Sequence, residues 1–79
     1  GDIHQAIEFS KEALAIHREI GDRRGESISL ANLAGAYSKL GDVQLGIDYY
    51  ERSLAINEEI GDLRGEAKYF ERSISKFWE

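Results

Sequence analysis

Hydroxyls, imidazoles and carboxylates carry most protein catalysis, and this sequence holds all three without the spacing that makes them work together. Serines stand at 10, 27, 29, 38, 53, 73 and 75, and none has a histidine placed as a base for it. His4 and His17 lack a sequence neighbour suited to orient an imidazole as a general base. His17 falls on an apolar stripe, where a packed or edge histidine is expected. Two histidines without a cysteine do not build a metal site by themselves, and disulfides are excluded. Gly21 and Gly25 join helix to helix instead of following a strand, so they do not form a phosphate cradle. No catalytic residue, metal or cofactor is expected, and the chain does not read as an enzyme.

The bulk properties narrow the partners. A net charge of −5 and a pI near 5.0 argue against nucleic acid and against an acidic membrane, both of which need a basic patch. No apolar run approaches the roughly 18 residues of a membrane-spanning helix, and no signal-peptide pattern opens the chain. With no cysteine to mark secretion, a soluble, cytoplasmic protein is expected. Methionine is absent even at residue 1, which suggests an excerpt or a processed chain. A chain of 79 residues makes one domain whose core alone supplies little net stability.

The elements are marked by one dipeptide. Gly-Asp occurs at 1–2, 21–22, 41–42 and 61–62. Glycine takes the left-handed conformation just past a helix, and aspartate is among the best N-caps, so each pair predicts one helix ending and another beginning. The absence of proline and of linker-like composition fits helices joined by short turns. Four helices of about 18 residues follow, over 3–20, 23–40, 43–60 and 63–79.

Apolar spacing of three and four residues supports the helices. In the first the stripe is Ile3, Ala6, Ile7, Ser10, Ala13, Leu14, His17 and Ile20, with Glu8, Lys11, Glu12, Arg18 and Glu19 opposite. The second carries Ile28, Leu30, Leu33, Ala34, Tyr37 and Leu40. The third repeats the first with Val43, Gly46, Ile47, Tyr50, Ser53, Leu54, Asn57 and Ile60. The fourth follows the second at its start and diverges into Phe70, Ile74, Phe77 and Trp78. Residues 1–39 laid on 41–79 agree at thirteen positions, including Leu14-Ala15-Ile16 with Leu54-Ala55-Ile56 and Arg24-Gly25-Glu26 with Arg64-Gly65-Glu66. The period is therefore forty, and the repeating unit is a helical hairpin whose open apolar face another hairpin must cover.

The stretch Leu30-Ala31-Asn32-Leu33-Ala34-Gly35-Ala36-Tyr37-Ser38-Lys39-Leu40-Gly41-Asp42 resembles the first helix and turn of a tetratricopeptide repeat. Gly46-Ile47-Asp48-Tyr49-Tyr50-Glu51-Arg52-Ser53-Leu54-Ala55-Ile56 resembles its second helix. The likeness covers the whole chain. Departures keep small residues opposite large ones: Leu30 replaces an aromatic, Ala34 a glycine, and Gly46 and Ser53 two alanines. The forty-residue unit, with Gly-Asp where the family more often has proline, is similar to the repeats of kinesin light chains, of Leu-Gly-Asn-type spindle-orientation adaptors and of many bacterial signalling ATPases. The resemblance implies an all-α fold of antiparallel hairpins stacked as a right-handed alpha solenoid. In that reading 3–20 is a second-type helix, 23–40 and 43–60 make the complete repeat, and 63–79 is a first-type or capping helix. Both ends of such a stack present apolar surface.

The resemblance also implies a site. First helices of these repeats line a concave groove that holds an extended peptide or a partner helix, which places Ile28, Ala31, Asn32, Gly35, Ser38 and Lys39 there. Asn32 is the sharpest, because an amide donates and accepts at once to a peptide backbone. Gly35 stands where a second asparagine is common, which weakens the parallel. On the fourth helix Lys68 and Arg72 are expected to meet an acidic or C-terminal carboxylate, with Glu71 between them diluting the field. Phe77 and Trp78 are expected as a last packing layer or a self-association surface.

Two functions remain. The leading one is a module binding a protein or peptide on the concave face. The other is structural self-association, by end-to-end stacking or exchange of helices, giving a homo-oligomer or a stack on further repeats. One residue beyond Glu79 would complete an eighty-residue period, so one copy could follow another without a break in the pattern.

Overall fold

A Gly-Asp pair stops one helix and starts the next through two adjacent residues. In the computed structural model, which describes residues 2–64, the chain forms α1 (Ile3–Ile20), α2 (Arg23–Lys39) and α3 (Val43–Arg64). Gly21 closes α1 at φ 76°, with its N–H donating to the Arg18 carbonyl at 3.3 Å and the Asp22 N–H donating to the His17 carbonyl at 2.8 Å. Gly41 closes α2 in the same way at φ 92°, through Ser38 at 3.0 Å and Tyr37 at 2.9 Å. Residues with a β-carbon are strained at such φ, so glycine is required at both turns. The aspartates then cap the next helix: Asp2 accepts the His4 N–H at 2.9 Å, Asp22 that of Gly25 at 2.9 Å, and Asp42 that of Leu45 at 3.3 Å.

The pair at 61–62 behaves differently. α3 does not stop at Ile60 but runs through Gly61 and Asp62 to Arg64, a helix of 22 residues, and Gly61 does not take positive φ. Glycine and aspartate together cost a helix only about 1.5 kcal/mol relative to alanine, so the dipeptide permits a turn without imposing one. The first turn also has an ionic clamp whose arginines are absent from the corresponding places here. The fourth expected helix, 63–79, lies outside the described residues beyond its first two positions, which continue α3.

That clamp is built on Glu26, in the first turn of α2. Its carboxylate accepts Arg18 Nε of α1 at 3.1 Å and Arg23 Nη1 at 2.9 Å, while Arg23 reaches Glu59 of α3 at 2.6 Å. Burial pushes the Glu26 carboxyl up, but hydrogen bonds from Arg18 and Arg23 outweigh it and hold it below the usual carboxylate range. The same bonds, Glu59 first and then Glu26, raise Arg23 above its ordinary value. His17 packs beside this turn on Gly25, whose place a β-carbon cannot share with the imidazole and with Asp22 Oδ2. Its buried Nδ1 stands 3.2 Å from Asp22 Oδ2, off the line a hydrogen bond needs.

The core sits where α2 meets both neighbours. Leu30 and Leu33 are fully buried, with Ile7 and Leu14 of α1 on one side and Ile56 of α3 on the other. α1 and α3 each pack on α2 and not on each other. The single apolar stripe read along α3 separates into two seams. Gly46 and Ser53, joined by Tyr49, Ile56 and Ile60, face α2, whereas Val43, Ile47, Tyr50 and Leu54 are exposed. Ile28 and Leu40, read as part of the α2 stripe, are exposed as well.

Backbones approach closely along the buried seam. A β-carbon on Gly46 would strike Ser38 Oγ and lie 3.0 Å from the Ala34 carbonyl oxygen. A buried polar lock lies further along it. Ser27 Oγ donates to Asn57 Oδ1 at 2.6 Å, Ser53 Oγ donates to the Ser27 carbonyl at 2.9 Å, and the two hydroxyl oxygens are 2.9 Å apart. Each hydroxyl proton therefore has an acceptor, which keeps these polar groups tolerable in a dry interface.

Candidate peptide-binding groove

α2 owes its position to what it buries, and the remainder of its surface forms the candidate site. Its second to fourth turns sink Ser27, Ser29, Leu30, Leu33, Ala34 and Ala36 between α1 and α3. Helical spacing then leaves Ile28, Ala31, Asn32, Gly35, Ser38 and Lys39 exposed. Five of these six line hollows; Ile28 lines neither.

One hollow lies between α1 and α2 and has a volume of about 480 Å³. Ala31, Asn32, Gly35 and Lys39 of α2 line it with Ile3, Ala6, Phe9 and Ser10 of α1. A second, of about 320 Å³, lies between α2 and α3, where Ala31, Gly35 and Ser38 meet Ile47 and Tyr50. Ala31 and Gly35 belong to both, so the hollows join over a floor of small side chains. At Gly35 nothing stands within 4 Å of where a β-carbon would be. Aromatic walls, a low floor, one free amide and one ammonium group make a trough suited to a polar backbone with side chains on either side. Among the described residues no side chain engages the Asn32 amide or the Lys39 ammonium group.

The backing of α2 is stiff. Tyr37 stacks on Tyr49 of α3 with ring centroids 5.6 Å apart and planes within 4°, and Arg52 stands 5.5 Å over the Tyr49 ring. From α1, Lys11 lies near the Tyr37 hydroxyl, and that neighbour raises the lysine above its usual pKa. All three helices thus fix the helix that carries the trough.

Of the residues expected in the groove, Lys68 and Arg72 lie outside the described residues, as do Phe77 and Trp78. Sequence reasoning missed Phe9, Ser10, Ile47 and Tyr50 as walls. Phe9 had a signal: it belongs neither to the apolar stripe of α1 nor to its charged face, and it is 73% exposed. An aromatic residue without a helical partner is a candidate wall or contact.

A model of the tetratricopeptide repeat family matches residues 1–59. The chain belongs to the tetratricopeptide repeat family. No curated protein and no solved structure matches it. Tetratricopeptide repeats generally mediate protein–protein interaction. The family is generally non-enzymatic. None of the described helices is long and apolar enough to cross a membrane.

Proposed function

We propose that this tetratricopeptide repeat binds an extended polypeptide segment along α2. The observation that carries the reading is the joined pair of hollows over Ala31 and Gly35, with the Asn32 amide and Lys39 at its edge. Asn32 supplies an acceptor and donors to one peptide unit of the ligand, and Gly35 lets that backbone come close. Phe9 and Tyr50 flank it, and Lys39 favours an acidic side chain or a terminal carboxylate nearby. Stacked on further hairpins of the same kind, α2 and α3 form part of a right-handed solenoid. Its setting is the cytoplasm, in keeping with an acidic chain without cysteine.

The test is selection from a peptide library followed by titration of the selected peptides. Two neutral hydrogen bonds at about 0.5–1.5 kcal/mol each make Asn32→Ala about tenfold weaker or more. Selected peptides that bind Asn32→Ala as well as the parent protein would overturn the assignment.

A further inference from the structure

α2 is the basic helix of an acidic chain. Within their bounds α1 holds three acidic and two basic residues and α3 five and two, but α2 one and three. The one acid of α2, Glu26, is buried against Arg18 and Arg23, so the charges this helix exposes are all positive. Arg23 is engaged by Glu26 and Glu59. Among the described residues no carboxylate stands within ion-pair distance of Arg24 or Lys39, and none lines either hollow. With fifteen acids to ten bases in the whole chain, such segregation marks this face as the one that attracts negative charge.

The two free cations share one stripe. Steps of four, four, three and four residues lead from Arg24 through Ile28, Asn32 and Gly35 to Lys39, the spacing of a single helix face, and all five are exposed. The fifteen positions from Arg24 to Lys39 place them about 22 Å apart along α2 at 1.5 Å per residue. An extended polypeptide advances about 3.3 Å per residue and returns a side chain to the same side every second residue. Side chains six residues apart therefore point one way and span about 20 Å, and the reach of arginine and lysine covers the rest.

Resting on the groove reading above, we propose that the bound segment is acidic, with two Asp or Glu side chains about six residues apart, one on Arg24 and the other on Lys39. Ile28, 56% exposed, meets an apolar side chain between them, and Asn32 holds the intervening backbone. The negative helices on either side repel carboxylates that stray from α2. The charge pattern thus sets the register of the segment more than it adds affinity.

The probe is a random peptide library offered to the parent chain in two forms, with amidated and with free C-termini. Both forms yield peptides with paired acids at that spacing. In titrations at low salt these peptides bind Arg24→Glu and Lys39→Glu about fivefold more weakly each, and the difference shrinks at high salt. Arg24→Gln and Lys39→Gln lose less, and all four variants keep the helical spectrum because both side chains are exposed. The proposal is overturned by selected peptides that are neutral or basic, by binders found only with free C-termini, or by charge reversals that leave affinity unchanged. Where Asn32→Ala still weakens such peptides, the groove reading stands and the acidic ligand alone falls. Peptides indifferent to all three positions, or a library without any binder, remove both.

Discussion

Glu26→Gln tests the clamp that sets the first turn. The Glu26 side chain is 9% exposed and accepts two guanidinium groups, whereas Arg18 and Arg23 are about half exposed. Glutamine keeps the size and one acceptor, but it loses the charge and turns an NH₂ group toward a guanidinium. Charge-assisted bonds contribute about 1.5–3 kcal/mol each, and both arginines regain water when released, so the net loss lies near the bottom of that range, about 1.5 kcal/mol. For a chain of this size that is a fall in melting temperature of about 6–12 °C. The sign with pH follows from a folded-state pKa below the ordinary value of 4.5. The carboxylate stabilises the fold above that value, and the contribution is lost as pH falls through the lower folded value. Thermal melts followed by circular dichroism therefore show the parent and Glu26→Gln separated at neutral pH and converging in acid. Equal melting temperatures at pH 7, or a separation unchanged in acid, would refute the clamp.

Three further perturbations address packing and turns. Gly35→Ala has open space and gains about 0.5–1 kcal/mol of helix propensity while raising the groove floor, whereas Gly46→Ala meets Ser38 and the Ala34 carbonyl and loses about 1–3 kcal/mol; urea titration separates the two signs. Ser27→Ala and Ser53→Ala each destabilise by about 1 kcal/mol, but the double variant loses less than the sum, and an additive double-mutant cycle would contradict the lock. Gly21→Ala destabilises by about 1 kcal/mol because its φ is positive, while Gly61→Ala stabilises by a similar amount because it continues a helix. Loss of stability in Gly61→Ala would restore the turn that the dipeptide predicts at 61–62.

The repeat was legible because glycine and aspartate do fixed jobs at helix ends, and two of the internal pairs do them through the same hydrogen bonds. The three helices and the central Leu30 and Leu33 follow from spacing alone. The division of α3 into two seams does not. A helix between two neighbours carries two apolar faces, and a stripe drawn at three and four residues merges them, which is how Tyr49 and Ile56 were passed over while Val43 and Leu54 were counted as core. The trough was legible on α2 and illegible on its walls. Phe9 and Tyr50 acquire their place only when α1 and α3 are set beside α2, a long-range fact that no local pattern carries.

The contrast between Gly21-Asp22 and Gly61-Asp62 shows what a turn signal lacks by itself. Both begin the same Gly-Asp-x-Arg-Gly-Glu run, yet forty residues after Arg18 stands Glu58, and after Arg23 stands Leu63. The glutamate that organises the first turn is repeated in sequence as Glu66, but the two arginines that hold it in the first turn are not repeated. Asn57, the counterpart of His17, is committed to Ser27 of α2. A hairpin turn is stable when the chain beyond it is held against the chain before it, and at 61–62 the two arginines that hold the first turn have been exchanged for a glutamate and a leucine. Reversing the charge tests this directly: Glu58→Arg restores the Arg18 equivalent, and it stabilises the chain only if Glu66 comes back to meet it. A Glu58→Arg variant whose stability is matched by Glu58→Arg combined with Glu66→Gln would show that no such pair forms.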